Sequence, residues 1–376
     1  MAKKAIKSSE PVFPEKQFLD AIKPLNKKKC KIGVFLGNGI NEDGADLSTK
    51  VIVDKFVKKS ASSNPRAYEE KKEAMRRLWR TLASDGSTPD MTSFMTDFQD
   101  MESLKKQFVS YVIEACCTAR PGLNHFFVLA LCSLLQNYGH GNHNVLAFTT
   151  NYDNLLERAK LMPPRPWRYY RPQPIFRKAP PGPRHFSTGP EGPFIIAKLL
   201  LNPIYSLKEV IKPKALSVIP VHGSIRVCRC PGCSRILMTE AAALDRKFCI
   251  YCGSEIPSVI IPTTEGETDK EVLQLLEEYI SEASVQFFIG YGFGDPHIIE
   301  RIKRGYLRRK SNGSFHPINI CRSAFPNEKI DIKNLGEAIN ISLDITVALS
   351  KVIQYLIPKD NQPLGQLFSS FITETV

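Results

Sequence analysis

The chain contains no uninterrupted apolar run long enough to cross a membrane, and its basic beginning, MAKKAIKSSEPVFPEKQ, leads into no signal-peptide apolar region. No membrane association is therefore expected, and a cytoplasmic location is. A disulfide framework is missing as well. Of the ten cysteines, Cys116, Cys117, Cys132 and Cys321 sit in apolar or mixed surroundings, and Cys30 follows a lysine run. The other five gather between Cys228 and Cys252, and in a chain without a secretion signal such clustering reads as metal ligation. The acidic residues Asp43 and Asp46 complete no oxygen-ligand loop, which leaves them as solvent-facing or helix-capping groups.

The 376 residues suffice for one large domain with an insertion, or for two domains, and the composition, 43% hydrophobic and 24% charged, is that of a globular protein. A formal charge of +13 favours polyanions without naming one. The basic clusters at Lys27 to Lys29, Lys71-Lys72, Arg76-Arg77 and Arg301 to Lys310 are separated along the sequence. They read more simply as solvated surfaces than as one nucleic-acid stripe, although DNA or RNA contact stays open.

Organisation centres on VLAFTTNYDNLLERA, Val145 to Ala159, where β-favouring residues pass through a polar turn into a helical pattern. Thr149, Thr150, Asn151 and Asp153 then lie at the carboxyl end of a strand, where open α/β sheets hold ligands; helix capping is the structural alternative. Upstream, a basic N-terminal tail (1–30) precedes KIGVFL, a first strand ending at Gly37-Asn38-Gly39, where exposed amides can hold a pyrophosphate or simply make a tight turn. Helices are expected over Pro65 to Leu82 and over Asp90 to Asn137, the latter broken near Arg120-Pro121-Gly122. Phe94, Phe98, Met101, Leu104 and Phe108 supply one apolar face there. His125 reads as a core or interface histidine; His140 and His143, in GHGNHN, leave a weak metal reading open.

After the first part of the sheet domain (31–160) the texture changes, since thirteen of the 27 prolines fall between Leu161 and Pro220. This segment (161–220) reads as an irregular insertion with a return strand; Trp167, Tyr169, Tyr170 and Phe176 among its arginines suit an internal anchor, a protein interface or base stacking. The return strand ends at Val221-His222-Gly223-Ser224, where His222 either accepts a proton or ties the strand end to a carbonyl. Next comes a compact module (221–258) in which Cys230, Cys233, Cys249 and Cys252 form two C-x2-C pairs 15 residues apart, the pattern of a structural zinc site. The sheet domain resumes (259–358) with a helical pattern over Lys270 to Ile280 and a strand, Val285 to Ile289. That strand opens into GYGFGDPH, where Gly290, Phe293 and Asp295 are cofactor-loop candidates, Asp295 as a ribose partner or a helix cap. A short strand from Pro317 to Ile320 carries Asn319, and a helix from Ala348 to Leu356 precedes a C-terminal tail (359–376). The expected fold is α/β: a Rossmann-like parallel sheet with flanking helices, a four-cysteine zinc module and a proline-rich insertion.

The order of the Gly37 loop, Asn151-Asp153, His222, the cysteine pairs, the Gly290 loop and Asn319 resembles the sirtuin family. TTNYDNLLERA, VHGS and GYGFGDPH are similar, more closely, to the sirtuin-like NAD-consuming effectors of bacterial antiviral defence. The resemblance implies that Asn151 lies near the nicotinamide ribose with Asp153 beside it, and that His222 is the base near ribose hydroxyls. It makes Gly37, Asn38, Gly39 and Gly290 part of the dinucleotide cradle, and Asn319 a neighbour of the adenosine ribose. One departure stands out: where protein-deacylating sirtuins carry an aspartate-phenylalanine-arginine segment, Gly39 leads here into INEDGADLSTKVIVD. The implied activity is an NAD glycohydrolase releasing nicotinamide and ADP-ribose to deplete NAD, with NAD-dependent protein deacylation or a non-catalytic nucleotide- or nucleic-acid-binding scaffold as alternatives. By the same resemblance a homo-oligomer and a ring-forming ATPase/translocase partner are expected.

Overall fold

The computed structural model describes residues 13–43, 47, 49–61, 65–82, 102–139, 141–161, 200–203, 215–225, 227–230, 232–233, 236–238, 248–249, 251–255, 270–309, 315–321, 325–326 and 338–357. Most of the proline-rich insertion, with its four aromatic residues, lies outside these residues, as do Phe94, Phe98, Met101, Asp46, His140 and the C-terminal tail.

KIGVFL forms β1 (Lys31–Leu36), buried from its second residue onward. It lies between β2 (Asn144–Thr149) and β7 (Val285–Ile289), both parallel to it. β3 (Leu200–Pro203) and β4 (Ala215–Pro220) extend the sheet beyond β2, and β8 (Ile318–Ile320) and β9 (Ile339–Asn340) extend it beyond β7. Every pairing in the resulting order, β3-β4-β2-β1-β7-β8-β9, is parallel. A parallel sheet needs crossover connections that cover both faces, which is why these strands read as continuous apolar runs rather than as alternations.

The two faces bury different sets. Ile32, Val34, Leu36, Val145, Ala147, Phe287 and Ile289 point towards α5 (Leu123–Asn137) and α9 (Ile345–Leu356). Helix α5 is buried at all thirteen positions from Asn124 to Gln136, as befits a sequence that is apolar almost all round. On the opposite face Phe35, Leu146, Phe148, Ile219 and Phe288 pack with α7 (Lys270–Glu282) and α8 (Pro296–Leu307). A satellite core joins α2 (Thr49–Ala61), α3 (Pro65–Leu82) and α4 (Glu102–Thr118) to Tyr152, Leu155 and Ile225; of these, Leu155 begins the short helix α6 (Leu155–Leu161).

The N-terminal segment is more than a basic tail in its described part. Glu15–Ile22 forms α1, which buries Phe18 and Ile22, and Phe13 stacks on Tyr355 of α9 with ring centroids 5.1 Å apart. Among the lysines the apolar period is short, and only tertiary packing makes it legible. The expected metal reading of His143 is corrected: its Nδ1 accepts from the Cys30 N–H at 3.1 Å and its Nε2 bonds the Tyr138 carbonyl at 2.8 Å, so it joins the start of β1 to the start of β2. The basic run of α8 is largely consumed at home. Arg301 and Arg308 both pair with the buried Glu277, at 3.3 and 2.8 Å, Arg304 pairs with Glu300, and Arg309 donates to the carbonyls of Ile280 and Ala283.

Candidate active site

β1 and β7 are neighbours whose onward connections run to opposite sides of the sheet. In open α/β sheets a crevice forms at the carboxyl ends of such a pair. Here two glycine loops fill it, backbone against backbone. Gly290 has φ +62°, and a Cβ on it would meet the Ile40 nitrogen at 2.7 Å; one on Gly37 would meet the Tyr291 Cα at 2.4 Å. The expectation of exposed amides is therefore corrected for both outer glycines: the Gly37 N–H donates to the Ile289 carbonyl at 2.9 Å and the Gly39 N–H to the Gly290 carbonyl at 2.8 Å. A side chain at either position would collide with the facing backbone, so glycine is required at the contact itself.

Behind the crevice stands a hydrogen-bonded polar frame. Asn38 and Asn41 share one side of a 3-10 turn, as their three-residue spacing dictates. The Asn41 carboxamide donates to the Asn38 Oδ1 at 2.8 Å and to the Asp153 Oδ2 at 3.0 Å, while its own oxygen accepts from His125 Nε2 at 2.9 Å. The tautomer follows from the partners, because His125 Nδ1 accepts from the Gly122 N–H at 3.2 Å and Nε2 must then carry the proton. Burial holds the His125 imidazole below its ordinary pKa and so neutral. Asp153 completes the frame by accepting from the Leu155 N–H at 2.9 Å, which caps α6. Sequence reading placed Asn38 and Asp153 here and took His125 as a core or interface histidine, in agreement with its burial and bonds; it passed over Asn41, for which the signal available was the paired asparagines of NGIN.

In front of this frame the loops after β2 and β4 are joined, the Val221 N–H donating to the Thr149 carbonyl at 2.8 Å and the Ile225 N–H to the Tyr152 carbonyl at 2.9 Å. Asn151 is 5% exposed, yet neither atom of its carboxamide has a hydrogen-bond partner. It lines a cavity together with Thr149, Asp153, Pro220 and Ser224. The cavity volume is about 20 Å³, and one water needs roughly 10–15 Å³.

His222 lies between two of those lining positions in sequence, but its ring does not line the cavity. It is 2% exposed and faces Asp295, whose Oδ1 is 3.5 Å from its Nε2. The rings of His297 and Tyr152 lie 5.4 and 6.1 Å from it, centroid to centroid. The β2 and β4 loops are thus joined through their backbones, but the His222 imidazole does not line the cavity that the Asn151 carboxamide lines.

Asp295 stands at the N-cap position of α8, ahead of Pro296, but its side chain makes no cap hydrogen bond. Its Oδ2 instead accepts from the Tyr291 hydroxyl at 3.1 Å. Burial pushes this carboxyl upward in pKa, and His222, His297 and the Tyr291 hydroxyl outweigh burial and hold it below its ordinary value. The Gly290 loop brings Asp295 from the end of β7 to His222, with Tyr291 packed on Phe35 of β1 and Phe293 on Phe288 and Phe325. Phe293, at φ +55°, is 4% exposed and belongs to this apolar underside. Asn319, fully buried on β8, donates to the Asn340 Oδ1 at 2.9 Å and ties two strands together.

The four regular cysteines form the second cluster. Cys230, Cys233, Cys249 and Cys252 bring their sulfurs within 4.8 Å of one another, with Cys230–Cys252 and Cys233–Cys249 separations of 3.4 and 3.8 Å. Sulfurs about 2.3 Å from a tetrahedral zinc stand about 3.8 Å apart, so the set fits a structural zinc site. A disulfide needs about 2.0 Å, which these pairs do not approach. Cys228 belongs to β5 (Val227–Arg229), where its backbone pairs opposite Leu237 of β6 (Ile236–Met238).

No protein-family model and no curated protein matches the chain. Among solved structures, the chain is similar to a Sir2 homologue in complex with NAD, at 15% identity over 91% of this chain and 93% of that one, with a TM-score of 0.47. A Sir2 structure bound to a propionylated peptide aligns at 15% identity over 91% and 98%, TM-score 0.47. Another, holding a p53 peptide and NAD+, aligns at 14% identity over 90% and 97%, TM-score 0.47.

Proposed function

We propose that this protein consumes NAD by breaking the bond between nicotinamide and ribose, with water as the acceptor. The balanced reaction is NAD+ plus water giving nicotinamide, ADP-ribose and a proton. What supports it above all is Asn151, a carboxamide buried without a partner beside a cavity for one water. A buried polar side chain left unsatisfied by the protein is rare, and a ligand or water is its usual complement.

Nicotinamide leaves as a neutral molecule, so the residues need only hold the ribosyl centre, favour the charge that develops on it and direct the acceptor. Asn151 positions the water or the nicotinamide ribose. His222 orients or deprotonates a ribose hydroxyl or the water. Asp153 holds the Asn151 loop through Asn41 and the start of α6. The cavity is far smaller than a dinucleotide, so side chains at the crevice must move as NAD enters.

NAD-dependent deacylation of lysine is the second reading. It keeps the same bond cleavage and exchanges water for an acyl oxygen, and the peptide-bound Sir2 structures are what raise it. A product-resolved assay with purified protein separates the two. Hydrolysis gives nicotinamide and ADP-ribose without peptide, whereas deacylation requires an acylated peptide and yields O-acyl-ADP-ribose. Asn151→Ala and His222→Ala each suppress nicotinamide release under either reading, and full activity in both variants rejects these roles. Repeating the assay with candidate protein partners, DNA and RNA tests whether an effector of this kind needs a trigger.

A further inference from the structure

Asp295 makes no cap hydrogen bond and is 5% exposed; one of its oxygens is held by the Tyr291 hydroxyl, and the other faces His222. Burying a carboxylate costs several kcal/mol unless it is paired and hydrogen-bonded. The groups that hold its charge are His222, His297 and the Tyr291 hydroxyl. On the imidazole side, Nε2 points to Asp295 and Nδ1 is buried with no hydrogen-bond partner.

We infer that Asp295 is the positioning residue of His222: its Oδ1 accepts the Nε2 proton, which leaves the lone pair on Nδ1 for a substrate hydroxyl or water. Tyr291 holds the carboxylate in place by its hydrogen bond to Oδ2. A carboxylate that orients an imidazole fixes which nitrogen is basic and stabilises the imidazolium as it forms, and it does this without becoming protonated. The 3.5 Å separation is longer than a good hydrogen bond; in ligand-free sites such contacts often shorten on loading. The loop after β7 thereby brings a carboxylate to the histidine of the loop after β4.

The inference rests on the NAD-cleaving role of His222 for its kinetic arm but not for its structural one. The structural arm is 15N NMR of the His222 ring in the ligand-free protein. The neutral imidazole is expected to carry its proton on Nε2, and Asp295→Asn is expected to shift population to the Nδ1–H form, since an amide can donate where a carboxylate only accepts. In the kinetic arm Asp295→Asn lowers kcat by about 10²–10³-fold with KM changed less than about threefold, and Tyr291→Phe lowers kcat by about tenfold. A wild-type ring protonated on Nδ1 overturns the inference, whatever the variants do, and needs no variant to fold. A tautomer and a kcat both unchanged in folded Asp295→Asn overturn it too. If no NAD turnover is found in any sample, the proposed reaction fails while the tautomer still decides the pairing.

Discussion

Two sets of polar side chains lie side by side at the carboxyl edge of the sheet, and they differ in what the protein has already given them. Asn38, Asn41, His125 and Asp153 bond one another and the backbone. Asn151 and His222 are as deeply buried, yet neither makes a side-chain hydrogen bond of good length. Satisfied buried groups specify a shape. Unsatisfied ones cost stability in the free protein and regain it only when something binds. The frame and the working groups can therefore be told apart by substitution, since stability and activity should respond in opposite proportions.

The largest effect is expected at Asn151. Asn151→Ala removes no protein hydrogen bond, so its thermal midpoint should move by less than that of a typical buried substitution, about 1 kcal/mol or under. NAD cleavage should fall by about 10²–10³-fold, as when one preorganised dipole is lost. A variant that unfolds readily and keeps its turnover would move Asn151 into the frame and erase the contrast.

The glycine contact comes next. Gly290→Ala adds a methyl group at φ +62° where the Ile40 nitrogen and the Gly39 backbone lie within 3 Å. Strained φ and a backbone clash together should cost about 3 kcal/mol. Gly292, two residues on in the same loop, has nothing within 4 Å of an added Cβ, and Gly292→Ala should change stability by no more than about 0.5 kcal/mol. Equal denaturation midpoints for the two variants would show that the loops do not meet as described.

Asn41→Ala removes three hydrogen bonds from the frame and leaves the Asp153 carboxylate and His125 each one partner short. A loss of about 2–3 kcal/mol is expected in chemical denaturation. Activity should fall much less than in Asn151→Ala, because the frame holds the loop without touching the reacting atoms. An activity loss as large as that of Asn151→Ala, at unchanged stability, would instead make Asn41 a working residue.

Much of the frame was hidden in the sequence for a physical reason. KIGVFL, VLAFTT and VQFFI announce buried parallel strands by composition, and the C-x2-C pairs announce their metal chemistry by spacing, both local signals. Asn41 and His125 are 84 positions apart, and no local pattern marks which polar side chain will be buried against which. The pairing of Asp295 was equally silent: before a proline it reads as a helix cap, and only the fold brings it to His222, 73 positions away in the loop after β4. Helix α1 was masked by the lysines around it, since its burial depends on α9, more than three hundred residues later.

The smallest expected effect belongs to Asp43, which falls between the two sets. Its Oδ2 accepts from the Asn124 N–H at the start of α5, while its Oδ1 is buried without a partner. Burial raises the carboxyl to about 6, with the backbone bond from Asn124 opposing and the charge of Asp344 adding to the rise. A folded-state pKa above the unfolded value means that the folded protein binds the proton more tightly. The stabilisation is thus fully present below pH 3.8 and is lost as pH rises through about 6. Because the group is only partly enclosed, the loss should amount to about 1–2 kcal/mol. Asp43→Asn keeps an acceptor for the Asn124 N–H and removes the ionisation. Relative to wild type, it should be near neutral in stability at pH 4 and stabilising by that amount at pH 8, read from urea denaturation at both values. A variant destabilised at pH 8 would mean that the ionised carboxylate is worth more to the α5 N-terminus than its burial costs, which would place Asp43 wholly within the satisfied frame.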